Sequence, residues 1–439
     1  MKFTNLQPSV WVLLPSVALG TCAITILTPI LPTLKAHWFS EDCKENSKLS
    51  CDLDLKRTQE ISGILSSVRF FIIFLVSPYL GHLSDKIGRL PLLRLNNLGS
   101  MLPVLALYSF DGNSAWGYYS AFILTGLISS GTFQITAYVA DCSKPEDRPR
   151  YFGYLGAVQG FALILTPLFT VFFNSSTLFK ISFWMLFING LWIELVLPES
   201  LNLSQANVVH YPEGESLLRN TRHLLKKQSI IKWLALFTFL TALPEQGVVE
   251  IVLIYLDDVL NLKGNAMREF SSVYLSLSGL AILIAQTLYI WIFMKTFQLS
   301  SIGLMIIANI ANVTHMIIYA SLSLNHSRAV AYSNIFVTSF MFVGLPASNA
   351  LLSKKTEANE QGLAMGTLDS IRSFVGAFGP VFFSILYSYF GKENDFPEAP
   401  FLFGAAFASL ALLVVLGPLS DDEDLPLSVV EPLVFSEEI

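Results

Sequence analysis

Three charged side chains stand deep inside long apolar stretches: Arg69, Glu245 and Arg372. A charge at bilayer depth costs ~2.5–3.5 kcal/mol on insertion scales, so such a group is normally buried, paired and used. Two guanidinium groups suit bidentate capture of a carboxylate, phosphate or sulfonate. A carboxylate at the same level can carry a proton or neutralise a guanidinium. Helix rise places Arg69 ~18 Å, Glu245 ~21 Å and Arg372 ~20 Å from the ends of their apolar runs. Charges at one depth form either a cavity constellation or a static buried ion pair that only sets helix packing. Glu245 follows Pro244, whose ring frees a backbone carbonyl and kinks a helix there. Asp369 precedes Arg372 by three residues, shares its face and can neutralise it locally. Gln134, Gln159, Gln286, Asn309, Asn312 and His315 also lie in apolar runs, each as suited to an interhelical hydrogen bond as to a ligand. The chain has no G-x-x-x-x-G-K-[ST] loop, no H-E-x-x-H and no Cys/His cluster with metal spacing. Neither an enzyme, nor a cofactor, nor a metal is expected.

The elements that position these groups follow from composition. The 439 residues are 53% hydrophobic, 13% aromatic and 14% charged, with a net charge of −6. Mean hydropathy is +0.56. Soluble chains carry roughly 25% charged residues, and a nucleic-acid binder needs basic patches; both classes are excluded. Apolar runs long enough for ~20-residue helices recur along the chain, and helix is required because unpaired backbone groups cannot face lipid. Twelve spans are expected, at 9–33, 58–80, 92–110, 116–140, 152–173, 180–197, 231–256, 270–294, 300–322, 329–352, 363–389 and 399–418. The fold class is therefore an all-α membrane protein. The first span reads as a signal anchor rather than a cleaved signal peptide.

An even span count puts both termini on one side. With that side cytoplasmic, fifteen Lys and Arg fall in inner loops and ten in outer ones, as the positive-inside rule prefers. Trp11, Trp38, Trp116 and Trp233 sit near span ends, where belt anchors do. Cys43 and Cys51 share the first outer loop and are expected to form a local disulfide in an oxidising compartment, two free thiols being the alternative. Asn325 is the better glycan acceptor; Asn174 sits very near the membrane and Asn202 on the inner side. The chain divides into a six-helix half at 1–198, a polar linker at 199–229, a second six-helix half at 230–418 and an acidic cytoplasmic tail at 419–439. Gly153 to Pro167 and Gly366 to Pro380 repeat one spacing in the two halves, a weak echo of duplication.

The sharpest motif joins spans two and three: Gly81-His82-Leu83-Ser84-Asp85-Lys86-Ile87-Gly88-Arg89. Gly81 permits close helix approach, Gly88 a tight turn, and Asp85 can cap a neighbouring helix. Lys86 and Arg89 hold the loop inside. This loop resembles the signature G-x-L-[AS]-D-[RK]-x-G-[RK]-[RK] of the major facilitator superfamily, apart from Leu90 at the last basic position. Ala137 to Asp141 with Arg148, and Leu197-Pro198-Glu199-Ser200, resemble tetracycline-resistance-type drug/proton antiporters. Leu243-Pro244-Glu245, Ile284 to Thr287, Pro346 to Ser348 and Gln361 to Pro380 look most like the hippocampus-abundant-transcript-like branch. The resemblance implies two pseudo-symmetric halves. It also implies a cytoplasmic latch drawn from Gly81, Asp85, Lys86, Gly88, Arg89, Asp141 and Arg148, and a cavity lined by spans one, four, seven and ten. Gln134 and Tyr138 on span four are then favoured as ligand contacts, beside Arg69, Glu245 and Arg372.

Two positions depart from the antiporter pattern. Phe122 stands four before Gly126, where those antiporters carry Arg, and Thr166-Pro167-Leu168-Phe169-Thr170 lacks their glycines. Both leave the coupling mode open. The expectation is a monomeric secondary transporter in a lipid bilayer, moving a small organic solute by alternating access, with H+ as a candidate coupling ion. An anionic or zwitterionic solute fits the charges. Uncoupled diffusion, for instance of a sugar, would make Arg69 and Glu245 structural. A transporter-like receptor or scaffold that no longer cycles is a third reading, against which the intact Asp85 stands.

Overall fold

The computed structural model describes residues 7–28, 30, 31, 34, 38, 48–128, 132–201, 229–262, 265–357, 360–392 and 396–420, and all their regular structure is helical. In chain order the helices are α1 (Val10–Thr25), α2 (Lys48–Ile87), α3 (Arg89–Ser109), α4 (Ala115–Ile128), α5 (Phe133–Asp141), α6 (Arg148–Phe172) and α7 (Ser175–Leu195). Then come α8 (Ser229–Leu260), α9 (Asn265–Ile284), α10 (Ser301–Asn325), α11 (Arg328–Met341), α12 (Gly344–Lys354), α13 (Gln361–Tyr387) and α14 (Ala399–Val414). Beyond α9 the chain makes a π-helical turn over Ala285–Tyr289 and continues helically to Lys295. Each expected span overlaps helix, the first only over Val10–Thr25. Span four is α4 and α5 in succession, and span ten is α11 and α12. Among the described residues nine helices are long and apolar enough to cross a membrane, and a bent pair within α8 makes a tenth. Cys43, the linker sequon at Asn202, the acidic tail and the side chain of Cys51 lie outside the described residues.

Helix ends follow local chemistry. Gly88, at φ +99°, turns the chain between α2 and α3, a conformation that strains any residue with a Cβ. Asn174 and Ser300 accept the backbone N–H groups of Thr177 and Gly303, capping α7 and α10. His326 closes α10 in the left-handed region.

Helices α1 to α7 pack among themselves: α1 on α6 and α7, α3 on α4 and α7, α2 on α4. Helices α8 to α14 do likewise, with α8 on α13 and α14, and α10 on α11, α12 and α14. The main contacts between the two sets are α2 with α13 and α6 with α9. Buried apolar residues show how the sets meet. At the end carrying Asp85, one continuous core draws on both: Leu80, Leu90 and Phe152 from the first, Leu351, Leu363 and Leu368 from the second. At the other end the cores are separate, one around Leu107, Tyr119 and Phe179 and another around Tyr255, Tyr319 and Phe401. The bundle is thus joined at one end and split at the other. Exposed Trp11, Trp116, Phe172 and Leu324 belong to its outer, apolar surface.

The kink expected at Pro244 is displaced. Helix α8 bends by 51° between Val249 and Ile251. Upstream of the bend, the Phe383 ring of α13 packs directly on the bare backbone of Gly247, in space a Cβ would fill. The bend lies beyond the proline, next to this tertiary contact.

Candidate functional site

The joined end is sealed along α2 and α13. Gly81 and Gly362 meet backbone to backbone, and a Cβ on Gly366 would lie 2.7 Å from the Ser77 carbonyl oxygen. Only glycines permit this approach. One turn beyond Gly81, the Asp85 carboxylate accepts the N–H of Gly362 at 2.7 Å and that of Leu363 at 2.8 Å. It caps α13 from across the seam, satisfying two of the unpaired donors of a helix start.

Arg89 holds this carboxylate in place. Fully buried, it donates from Nη1 to Asp85 at 2.7 Å and from Nε to Asp141 at 2.8 Å. Glu199 accepts the N–H groups of Arg89 at 2.8 Å and Leu90 at 3.0 Å, capping α3 where Gly88 offers no side chain. Ser200 donates to Asp141 at 2.9 Å, and Arg148 donates to the Ala140 carbonyl at 3.1 Å. The expected latch residues therefore converge, except that Lys86 is exposed. Glu199 and Ser200 complete the cluster. Sequence reasoning passed over them as site residues, although Leu197-Pro198-Glu199-Ser200 was the available signal. Tyr138 belongs here too: it is fully buried and donates to the Pro198 carbonyl at 3.0 Å. Gln134 is equally buried, and neither of its amide atoms finds a partner among the described residues.

A cavity opens among α8, the π-helical turn after α9, α10, α11, α12 and α13, lined by Glu245, Arg372, Gln286, Asn309, Asn312 and Ser348. Glu245 and Arg372 face it together, yet no ion pair joins them among the described residues. Arg372 instead donates weakly to Asn349 at 3.4 Å and lies one helical turn from Asp369. Asp369 also takes the backbone N–H of Thr132 at the start of α5, and so connects the two helix sets.

Arg69 is held apart from Glu245. Its Nε donates to Thr125 at 2.8 Å, and its guanidinium lies 4.7 Å from the centroid of Phe122. The cation of α2 thus rests on the face of α4 where the antiporter pattern carries arginine. His315 packs edge-on against Tyr319 and bonds Thr338, an interhelical role.

A two-set helical bundle, joined at one end by a capped glycine seam, split at the other, and holding a charged cavity within its second set, is the architecture of a membrane solute carrier. The sequence profile of the Major Facilitator Superfamily matches residues 13–345, and the chain belongs to that family. It is 23% identical to human "Hippocampus abundant transcript-like protein 1" over 382 residues, covering 81% of this chain and 72% of the relative. It is 25% identical to "Tetracycline resistance protein, class H" of Pasteurella multocida over 397 residues, covering 88% and 90%. Its fold is similar to that of the human organic anion transporter MFSD10 (TETRAN), with a TM-score of 0.71 at 19% identity over 93% of this chain and 99% of that one. It is also similar to a bacterial homologue of the iron transporter ferroportin in its outward-facing state, with a TM-score of 0.63 at 16% identity over 94% and 99%.

Proposed function

We propose that the protein is a secondary active transporter of a small anionic or zwitterionic organic solute, working by alternating access and coupled to protons through Glu245. The observation that carries this reading is the pair Glu245 and Arg372, opposite charges lining one cavity without closing on each other. A structural ion pair would be closed, because an unpaired buried charge is costly. Charges kept apart across a cavity leave room for a ligand or a proton. With both termini and the signature loop cytoplasmic, the split end faces outward and the sealed end inward. Residues 1–198 and 230–418 then act as the two rocking halves.

The experiment is uptake into proteoliposomes by the full chain, across a panel of organic acids, amino acids and sugars, at two pH values and with an imposed pH gradient. Accumulation that follows the gradient and prefers charged solutes supports the reading. Equilibration of a neutral sugar, indifferent to the gradient, replaces it with uncoupled diffusion. Absence of transport of any kind favours a transporter-like receptor.

A further inference from the structure

The cavity wall holds more acceptors than the transport reading uses. The Gln286 amide donates from Nε2 to the Phe342 carbonyl at 2.7 Å. The Asn309 amide donates from Nδ2 to the Met305 carbonyl at 3.3 Å. A carbonyl only accepts, so both amides are oriented with their oxygens free. Gln286 Oε1, Asn309 Oδ1 and Asn312 Oδ1 accept no hydrogen bond from the described residues. The three residues are only 5%, 2% and 4% exposed. Buried polar atoms normally find partners, and three unmatched acceptors in one wall are a costly arrangement unless something donates to them. Glu245 lines the same cavity, and as a carboxylate it too only accepts. Arg372, the cation of the cavity, donates to Asn349 of α12 at 3.4 Å.

We infer that the wall formed by Glu245, Gln286, Asn309 and Asn312 binds a compact monovalent cation, either the ammonium head of the solute or a free alkali ion. This rests on the transport reading of the same cavity and narrows it. An ammonium carries three donors and no acceptor, the complement of a wall of oxygens. A solute bearing both signs places its ammonium here and its acid toward Arg372, so four protein charges at one level, Arg69, Glu245, Asp369 and Arg372, stay balanced on loading.

The site also touches the moving parts. Gln286 lies on the π-helical turn that follows α9, and such turns recur at functional sites. Its side chain and backbone press on α6 of the other set. A Cβ on Gly156 would lie 2.6 Å from Gln286 Cδ, and one on Gly153 2.5 Å from the Gln286 carbonyl oxygen. A cation drawing in Oε1 therefore acts on the contact that must slide when the two sets rock.

The test is thermal stability of the purified full chain in lipid nanodiscs, titrated with sodium chloride or methylammonium chloride against N-methyl-D-glucamine chloride at constant ionic strength. A saturable rise with either salt is expected. Methylammonium alone identifies the solute's head group, and sodium alone identifies a free ion. Asn312→Leu should raise the half-saturating concentration about tenfold, the effect of losing one ligand worth ~1.4 kcal/mol. Asn312→Asp should lower it, an opposite shift that damage to packing would not produce. A wild-type protein indifferent to both cations overturns the inference, as do two variants that shift together. Because binding is read without transport, normal solute uptake by a protein whose stability neither salt shifts sinks this inference alone. Cation binding without uptake sinks the transport reading instead.

Discussion

Gly81 of α2 and Gly362 of α13 meet so closely that a Cβ on either would strike the other's carbonyl oxygen. The seam between the two helix sets is backbone against backbone at this point. Substituting Gly81 by alanine therefore forces α2 and α13 apart, at an overpacking cost of about 1–3 kcal/mol. The expected result is a population open at the Asp85 end. A cysteine at Met365, buried in the joined core, should then react faster with a membrane-impermeant thiol reagent supplied from that side. Unchanged labelling would mean that this contact does not keep the end shut.

Asp85→Asn keeps an acceptor for one α13 donor but removes the charge that Arg89 and both N–H groups share. Hydrogen bonds to charged groups contribute about 1.5–3 kcal/mol each. The variant should slow exchange between the two open states, lowering turnover about tenfold for each ~1.4 kcal/mol lost. Solute affinity should hardly move, because Asp85 is at the sealed end and outside the cavity lining. Normal turnover with weakened binding would contradict this assignment.

Glu245→Gln mimics a permanently protonated carboxyl. Uphill transport should fail while exchange of labelled solute survives, with protein yield close to wild type. If Glu245 and Arg372 were a static pair, removing one partner would cost ~3–5 kcal/mol. Yield and both activities would then collapse, and Arg372→Gln added to Glu245→Gln would restore folding. Measuring yield, exchange and accumulation for the single and double variants decides between them.

Phe122→Leu takes away the ring beneath Arg69, a cation–π contact worth ~0.5–2 kcal/mol, while leaving the Thr125 hydrogen bond in place. If Arg69 holds an acidic group of the solute, KM for acidic solutes should rise several-fold with turnover little changed. An equal loss for neutral and acidic solutes would instead mark Arg69 as packing.

Topology has its own check. A tag after Ile439 should be reachable only from the cytosol. Asn325, exposed at the last residue of α10, should carry a glycan that Asn325→Gln removes, whereas Asn202→Gln should change nothing. Alkylation without reduction should label neither Cys43 nor Cys51.

What could be read from residue types was what lipid and backbone geometry make expensive. Arg69, Glu245 and Arg372 were conspicuous because a charge in hydrocarbon needs a reason. Gly81, Asp85 and Gly88 were legible because close approach, capping and a positive φ each admit few residue types. Rotation of a helix about its axis was not legible. Helices apolar on every side give no signal of which face meets which neighbour. Nothing local could show that Tyr138 turns to Pro198 or that Arg69 leans on Phe122. The same is true of Gln286, Asn309 and Asn312, which share one wall from α10 and the turn after α9. The bend in α8 was misplaced for a related reason: it lies beside a ring from α13, more than a hundred residues away in sequence, which no local signal announces.

The common core at the sealed end, and the two separate cores at the other, have a thermodynamic consequence. On the proposed cycle the protein passes through a form shut at both ends. Closing the split end before the seam opens would merge the cores around Tyr119 and Tyr255 and remove more apolar surface from water than either open form does. Burial of apolar surface lowers heat capacity. The doubly shut form is therefore the low-heat-capacity station of the cycle, and its population changes with temperature relative to both open forms. Transport limited by escape from it will follow a curved rather than a straight Arrhenius line, without any melting of the protein or the bilayer.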